Sequence, residues 1–223
     1  MNRRDFLTIP AQGVSAAVIS ALGASLIEAQ DKNAQETYLK VPLRFFTAKQ
    51  AAIIEAACER IMPTDESGPG AKEAGVVIYI DRQLAGPYGH DKYRYTKPPF
   101  FQSVPEHGYQ GKENPREIYA KGIETLGDFP SLNPEEQDAR LISIEHSLFF
   151  QMLRTHTIEG MFCDPLHGGN IGMAGWKMIG FPGPSMSWRE EIDKHFGEAF
   201  RPAPKSLAQI VGHPVKGMED EPV

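Results

Sequence analysis

Three times the chain repeats a device that only the start of a helix requires. Thr47-Ala-Lys-Gln50, Asn114-Pro-Arg-Glu117 and Asn133-Pro-Glu-Glu136 each set a short polar side chain three residues ahead of an amide or carboxylate. At that spacing the first side chain accepts from the third helical N–H, while the third side chain reaches back to the cap N–H. Two donors that the helix cannot satisfy internally are thereby paired. Proline at the first helical position, as at Pro115 and Pro134, gives up an N–H that would have no partner there anyway. Apolar residues at helical spacing follow each cap. They are Ile53, Ile54, Ala57, Cys58 and Ile61 up to Pro63; Ile118, Tyr119, Ile123 and Leu126; and one long stretch bearing Leu141, Ile144, Leu148, Phe149, Met152 and Leu153. A further helix is expected from about Lys72 to Leu84, with Val76, Val77, Ile80 and Leu84 inward. No segment sustains period-two alternation, so the fold class is all-α: a small helical domain with long Gly/Pro/aromatic-rich loops and extended termini.

Composition narrows the function. A chain of 223 residues with 41% hydrophobic residues can bury the core of one ordinary domain. Its net charge of −6, with no basic stripe, argues against nucleic acid as a partner. Two cysteines, Cys58 and Cys163, cannot supply a disulfide framework, although one bridge within the chain or to another subunit is open to them.

The N-terminus reads as an address. Arg3-Arg4, then Asp5, then Phe6-Leu7 precede a mildly apolar run from Ile9 to Ile27 that lacks a helical stripe. Paired arginines in this context look like a bacterial twin-arginine export signal, with cleavage expected near Ala29. The expected compartment is therefore periplasmic, reached through the twin-arginine machinery in a folded state. An uncleaved signal or the rest of a complex would hold the chain at the membrane. The expected organisation is a signal segment over 1–29, a linker over 30–44, a helical domain over 45–200 and an extended or disordered tail over 201–223.

Two regions do not read as core. Residues 86–113 mix Gly, Pro, Tyr and Phe without a period, and a loop of that length within a domain is usually functional or ordered by a partner. Residues 161–183, MFCDPLHGGNIGMAGWKMIGFPG, carry six glycines among histidine, acid and aromatic side chains. A dinucleotide or phosphate cradle needs a strand before its glycines and a helix directly after them; here a helix and Asp164-Pro165 precede, and no Gly-Lys-Ser/Thr follows. A Gly-x-Ser-x-Gly elbow is absent, and Asp164 beside Cys163 opposes a thiolate. His156, Glu159, Asp164 and His167 supply metal-ligand types, which leaves an independent metal-dependent enzyme as an alternative. Their order, however, is His-x-x-Glu rather than the paired Glu-x-x-His of di-iron bundles. Trp176, Phe181 and Trp188 allow a third reading, a carbohydrate platform. As chemistry, the stretch is a shaped loop in which Asp164, His167 and Asn170 hold the turns while Trp176 and Phe181 offer surface.

Its residues also carry a resemblance. Asp164-Pro-Leu-His167-Gly168-Gly169-Asn170, then Gly175-Trp176-Lys177, then Ile179-Gly180-Phe181-Pro182-Gly183 resemble the signature of the gluconate 2-dehydrogenase subunit 3 family. The likeness extends to the twin-arginine start and to Cys58-x-x-Ile-Met-Pro-x-Asp65. It also takes in Ala74-Gly-Val76 with Tyr79-Ile-Asp-Arg82, and 115–126 with its Tyr119, and so covers most of residues 45–185. What the resemblance implies is a small subunit that is not catalytic alone. It would carry the export signal for an FAD flavoprotein of the glucose-methanol-choline type that oxidises a sugar or gluconate, and would aid that partner's maturation. Electrons in such complexes often pass to a cytochrome c subunit. The resemblance further suggests an intersubunit disulfide at Cys163. No cofactor is expected in this chain, which has neither Cys-x-x-Cys-His nor a dinucleotide fingerprint; FAD is expected in the partner.

Overall fold

The computed structural model describes residues 42–95, 97–101, 104–185 and 187–212. The export signal at Arg3, Arg4, Phe6 and Leu7 lies outside them, as do residues 213–223. Among the described residues there are eight α-helices and no strand beyond an isolated bridge between Asp65 and Gly68. They are α1 (Ala48–Ile61), α2 (Val76–Ala85), α3 (Pro115–Leu126), α4 (Pro134–Ser143), α5 (Leu148–Phe162), α6 (Ala174–Ile179), α7 (Arg189–Lys194) and α8 (Leu207–Ile210). None is long and apolar enough to cross a membrane. The fold is all-α, as the capping pattern requires.

All three capping boxes form. Thr47, Asn114 and Asn133 each accept from the N–H three residues on, and Gln50, Glu117 and Glu136 return to the cap. Two boundaries differ from the sequence expectation. The second helix begins at Val76 rather than near Lys72, because Gly75 takes a left-handed φ of 67° that no helix interior accommodates. The long stretch after Asn133 is two helices. α4 closes with tight turns, Ile144 N–H to Leu141 carbonyl at 3.2 Å and Ser147 N–H to Ile144 carbonyl at 2.8 Å. Ser147 then caps α5 by accepting from the Phe150 N–H at 3.1 Å.

The core lies around α5, which packs on α1, α2 and α3, while α1 also covers α4. Ile54, Ile80, Leu84, Tyr119, Leu126, Phe129 and Leu153 are fully buried there. Arg60 of α1 clasps Asp138 of α4 with a two-toothed contact at 2.8 and 2.6 Å. Ahead of α1 the chain is tied to α2: buried Asp81 accepts N–H bonds from Arg44 at 2.7 Å, Phe45 at 2.9 Å and Phe46 at 2.8 Å. Residues 201–206 carry no regular secondary structure and lead into α8, capped by Ser206 with Gln209. Ser206 and Ala208 are buried, so this part of the tail lies against the chain's own body.

Candidate functional site

The loop after α5 is built to finish that helix. An α-helix leaves its last carbonyls without internal partners. Here two side chains from further along supply the donors: Trp176 Nε1–H donates to the Phe162 carbonyl at 2.7 Å, and Asn170 Nδ2–H donates to the Cys163 carbonyl at 2.8 Å. The Asn170 side chain uses its other atom as well, Oδ1 accepting from the Gly175 N–H at 2.8 Å near the start of α6. Fully buried and held at a φ of 49°, Asn170 joins the end of one helix to the beginning of another. A Cβ on Gly169 would run into the Gly160 carbonyl, and one on Gly175 into the Met161 carbonyl. Both glycines are thus required by close approach of the loop backbone to α5.

Asp164 caps the short 3-10 turn Pro165–His167 by accepting from the Leu166 N–H at 3.0 Å. Its second oxygen accepts from the Leu207 N–H at 2.7 Å, and the Pro182 carbonyl accepts from the Lys205 N–H at 3.1 Å. The C-terminal segment is therefore clipped to both ends of the loop. Gly168 closes the 3-10 turn and Gly180 closes α6, each with a left-handed φ, while Gly183 lies against the Lys205 carbonyl. His167 is exposed beside them.

One expectation is corrected outright. Trp176 does not offer surface: it is only 4% exposed, because its indole N–H is consumed by the Phe162 carbonyl and its ring packs edge-on to Phe181 at 5.0 Å. Phe181 remains part-exposed. Trp188 pairs with Phe200 at 6.3 Å, so no sugar platform of Trp176, Phe181 and Trp188 forms.

The metal-ligand residues are also not gathered. His156 is buried with both ring nitrogens engaged, Nε2 with the Tyr88 hydroxyl at 2.9 Å and Nδ1 with the Tyr119 hydroxyl at 2.8 Å. Glu159 accepts from the Tyr79 hydroxyl at 3.0 Å, and both Asp164 oxygens receive backbone N–H groups. Among the described residues no group of three or more His, Cys, Asp or Glu is placed to hold a metal ion. Tyr79, Tyr88 and Tyr119 are the partners that sequence reasoning missed. Tyr119 lies 37 positions and Tyr88 68 positions from His156, and no local spacing announces either contact.

These groups line a groove of about 460 Å3 beside α5, bounded by Tyr79, Gln83, Tyr88, Gln151, His156 and Glu159. It adjoins a second hollow of about 500 Å3 that reaches Cys163, Asp164 and His167. The chemistry at its floor is quiet. Burial pushes His156 down to about 4, Tyr88 up to about 12 and Cys163 up to about 11. Cys163 is a free, half-buried thiol, not a thiolate nucleophile. A neutral imidazole has one donor and one acceptor, and both are spent on tyrosine hydroxyls, leaving no lone pair to take a proton from a substrate.

His156 should therefore be visible as a pH dependence of stability. Its folded value of about 4 lies below the unfolded value of about 6.5, so between those limits the unfolded chain binds the extra proton. Its contribution is whole above pH ~6.5 and is lost as pH falls toward ~4, about 3 kcal/mol in all. Urea titrations across that window should show a shallower pH slope for His156→Gln than for wild type. Identical slopes would contradict the assignment.

The family model described as gluconate 2-dehydrogenase subunit 3 matches residues 48–183, from the first turn of α1 to the last glycine of the loop. No curated protein and no solved structure matches the chain. The matched span holds the helical body and the whole helix-finishing loop, and on that match the chain belongs to the gluconate 2-dehydrogenase subunit 3 family.

Proposed function

We propose that this chain is the non-catalytic small subunit of a periplasmic, FAD-dependent dehydrogenase of the glucose-methanol-choline type acting on a sugar or gluconate. It supplies the twin-arginine export signal and supports maturation and stability of the flavoprotein. The observation that carries the reading is the family match over residues 48–183. The site supports it: the loop's hydrogen-bonding groups close helix ends, and His156 is sealed between two tyrosines. In this reading FAD resides in the large subunit, a cytochrome c subunit takes the electrons, and Cys163 at the groove is the thiol available for a link to the partner. Arg3-Arg4 would send the assembled pair through the membrane.

Export dependence tests the proposal. A flavoprotein of the glucose-methanol-choline type from the same host is expressed with and without this chain, and dye-linked dehydrogenase activity is measured in periplasmic and cytoplasmic fractions. Wild type should place the activity in the periplasm, and Arg3→Lys with Arg4→Lys should abolish that fraction. Undiminished periplasmic activity without this chain would overturn the reading.

A further inference from the structure

A part-buried guanidinium calls for acceptors, because its N–H donors lose water when the side chain is covered. Arg60, Arg94, Arg116 and Arg140 are part-buried and find theirs on carboxylates or backbone carbonyls. Arg82, in the last turn of α2, makes no side-chain hydrogen bond or ion pair among the described residues. Arg154 on α5 lacks one too, but Arg82 is set apart by its seat. Gly168 of the glycine loop lies directly against it, and a Cβ there would overlap Nη1, Cδ and Cζ of the arginine. The loop thus holds the guanidinium without pairing it. Burial, and then the like charge of Arg44, hold Arg82 below the ordinary arginine value. The Arg44 side chain likewise has no partner among the described residues. Asp81 offsets part of this charge, but its oxygens already receive the N–H groups of Arg44, Phe45 and Phe46. Two cations against one engaged carboxylate leave a local balance of +1 in a chain of −6.

The complementary charge is on the same chain. Beyond Gly212 the sequence holds Glu219, Asp220 and Glu221 with Lys216 opposing them, a balance of −2 over 213–223. The stretch 30–41 ahead of the described residues holds Asp31 and Glu36 against Lys32 and Lys40, a balance of zero. The acidic run also departs from a suitable place. The Leu207 N–H is pinned to Asp164, which stands four residues from Gly168, at most about 14 Å of chain. α8 carries the chain about 8 Å further, to Gly212. From Gly212 to Glu219 is seven residues, with a reach of about 23–25 Å. Even with the first two distances laid end to end, the run reaches Arg82.

We propose that Glu219, Asp220 and Glu221 pair with the guanidinium groups of Arg82 and Arg44, making the C-terminal segment a strap fastened at Asp164 and again at Arg82. A guanidinium fork takes a carboxylate by both oxygens, and successive acids in the run can serve both arginines. A free small anion is the weaker competitor, because the tethered run is held near the site at high effective concentration. Between the two fasteners lie His167 and Gly168, at the rim of the hollow that reaches Cys163. The strap covers that rim and screens the Cys163 thiol from solution.

The test uses the full chain carrying Arg82→Lys, treated with a carbodiimide that joins an amine to a touching carboxylate without a spacer. Peptide mapping should find position 82 linked to Glu219, Asp220 or Glu221 within one chain. Arg154→Lys should give no such link from position 154. A link from position 82 to Asp31 or Glu36 instead, or no link to the acidic run, would overturn the proposal. So would a link found only between copies in a mixture of isotope-labelled and unlabelled chains. The native arginine is tested by comparing wild type with the triple variant Glu219→Gln, Asp220→Asn and Glu221→Gln, whose substitutions lie beyond α8. At low salt, iodoacetamide should modify Cys163 about threefold to tenfold faster in the variant, as expected for loss of exposed ion pairs. Salt at about 1 M should bring wild type to the rate of the variant. Equal rates at low salt would overturn the strap.

Discussion

Asn170→Ala is expected to cost about 4 kcal/mol, the largest single loss in the loop. The substitution removes the donor to the Cys163 carbonyl and the acceptor from the Gly175 N–H in one step. Each group is then left buried without a partner, at about 1–3 kcal/mol apiece. Alanine must in addition hold the left-handed backbone that asparagine tolerates, at about 1 kcal/mol. Asn170→Gly separates the two effects, since glycine relieves the backbone cost and leaves both groups unpaired. Urea denaturation should therefore rank wild type above Asn170→Gly, and Asn170→Gly above Asn170→Ala by about 1 kcal/mol. Intrinsic fluorescence should shift to the red in both variants, because Trp176 depends on the same loop for its burial. A loss below about 1 kcal/mol in Asn170→Ala would contradict the role assigned to this residue.

Asp81→Ala should be similarly damaging, by about 4 kcal/mol, through the anchoring of the chain ahead of α1. The carboxylate is 1% exposed and receives three consecutive N–H groups, so its removal orphans three donors and frees the chain ahead of α1. Phe46 would lose its place against Tyr119, whose ring lies 6.1 Å away. The conservative change is informative because the bonds are unevenly shared. Oδ1 takes both Phe45 and Phe46, while Oδ2 takes Arg44 alone. An amide in place of the acid can keep the first pair through its carbonyl and loses the third, so Asp81→Asn should cost about 1–2 kcal/mol. Equal losses in Asp81→Ala and Asp81→Asn would show that charge, not the three-donor geometry, is what the site requires.

What the sequence made legible follows the range of the physics involved. Thr47 with Gln50, Asn114 with Glu117 and Asn133 with Glu136 act within one turn of chain, and each forms where its spacing says. The break between α4 and α5 is local too, but Ser147 sits inside an uninterrupted apolar period, and that period suggests continuity. Trp176 could not be placed from its neighbours. An indole needs an acceptor when buried, and the acceptor here is the unpaired carbonyl of Phe162 at the end of a different helix. The clip of the C-terminal segment has the same character, since Asp164 meets Leu207 across 43 positions. His156 joins two tyrosines from separate elements, and only the assembled core shows that its nitrogens are spent. The loop signature therefore identified the family, whereas the reason for the signature, closing the end of α5, required the three-dimensional contacts.

The most direct measurement is purification of the tagged chain from its native host under mild conditions, followed by subunit and flavin analysis of the product. A stoichiometric complex is expected, in which a larger subunit carries FAD and the dehydrogenase activity. Recovery of this chain alone, with dehydrogenase activity of its own, would contradict it.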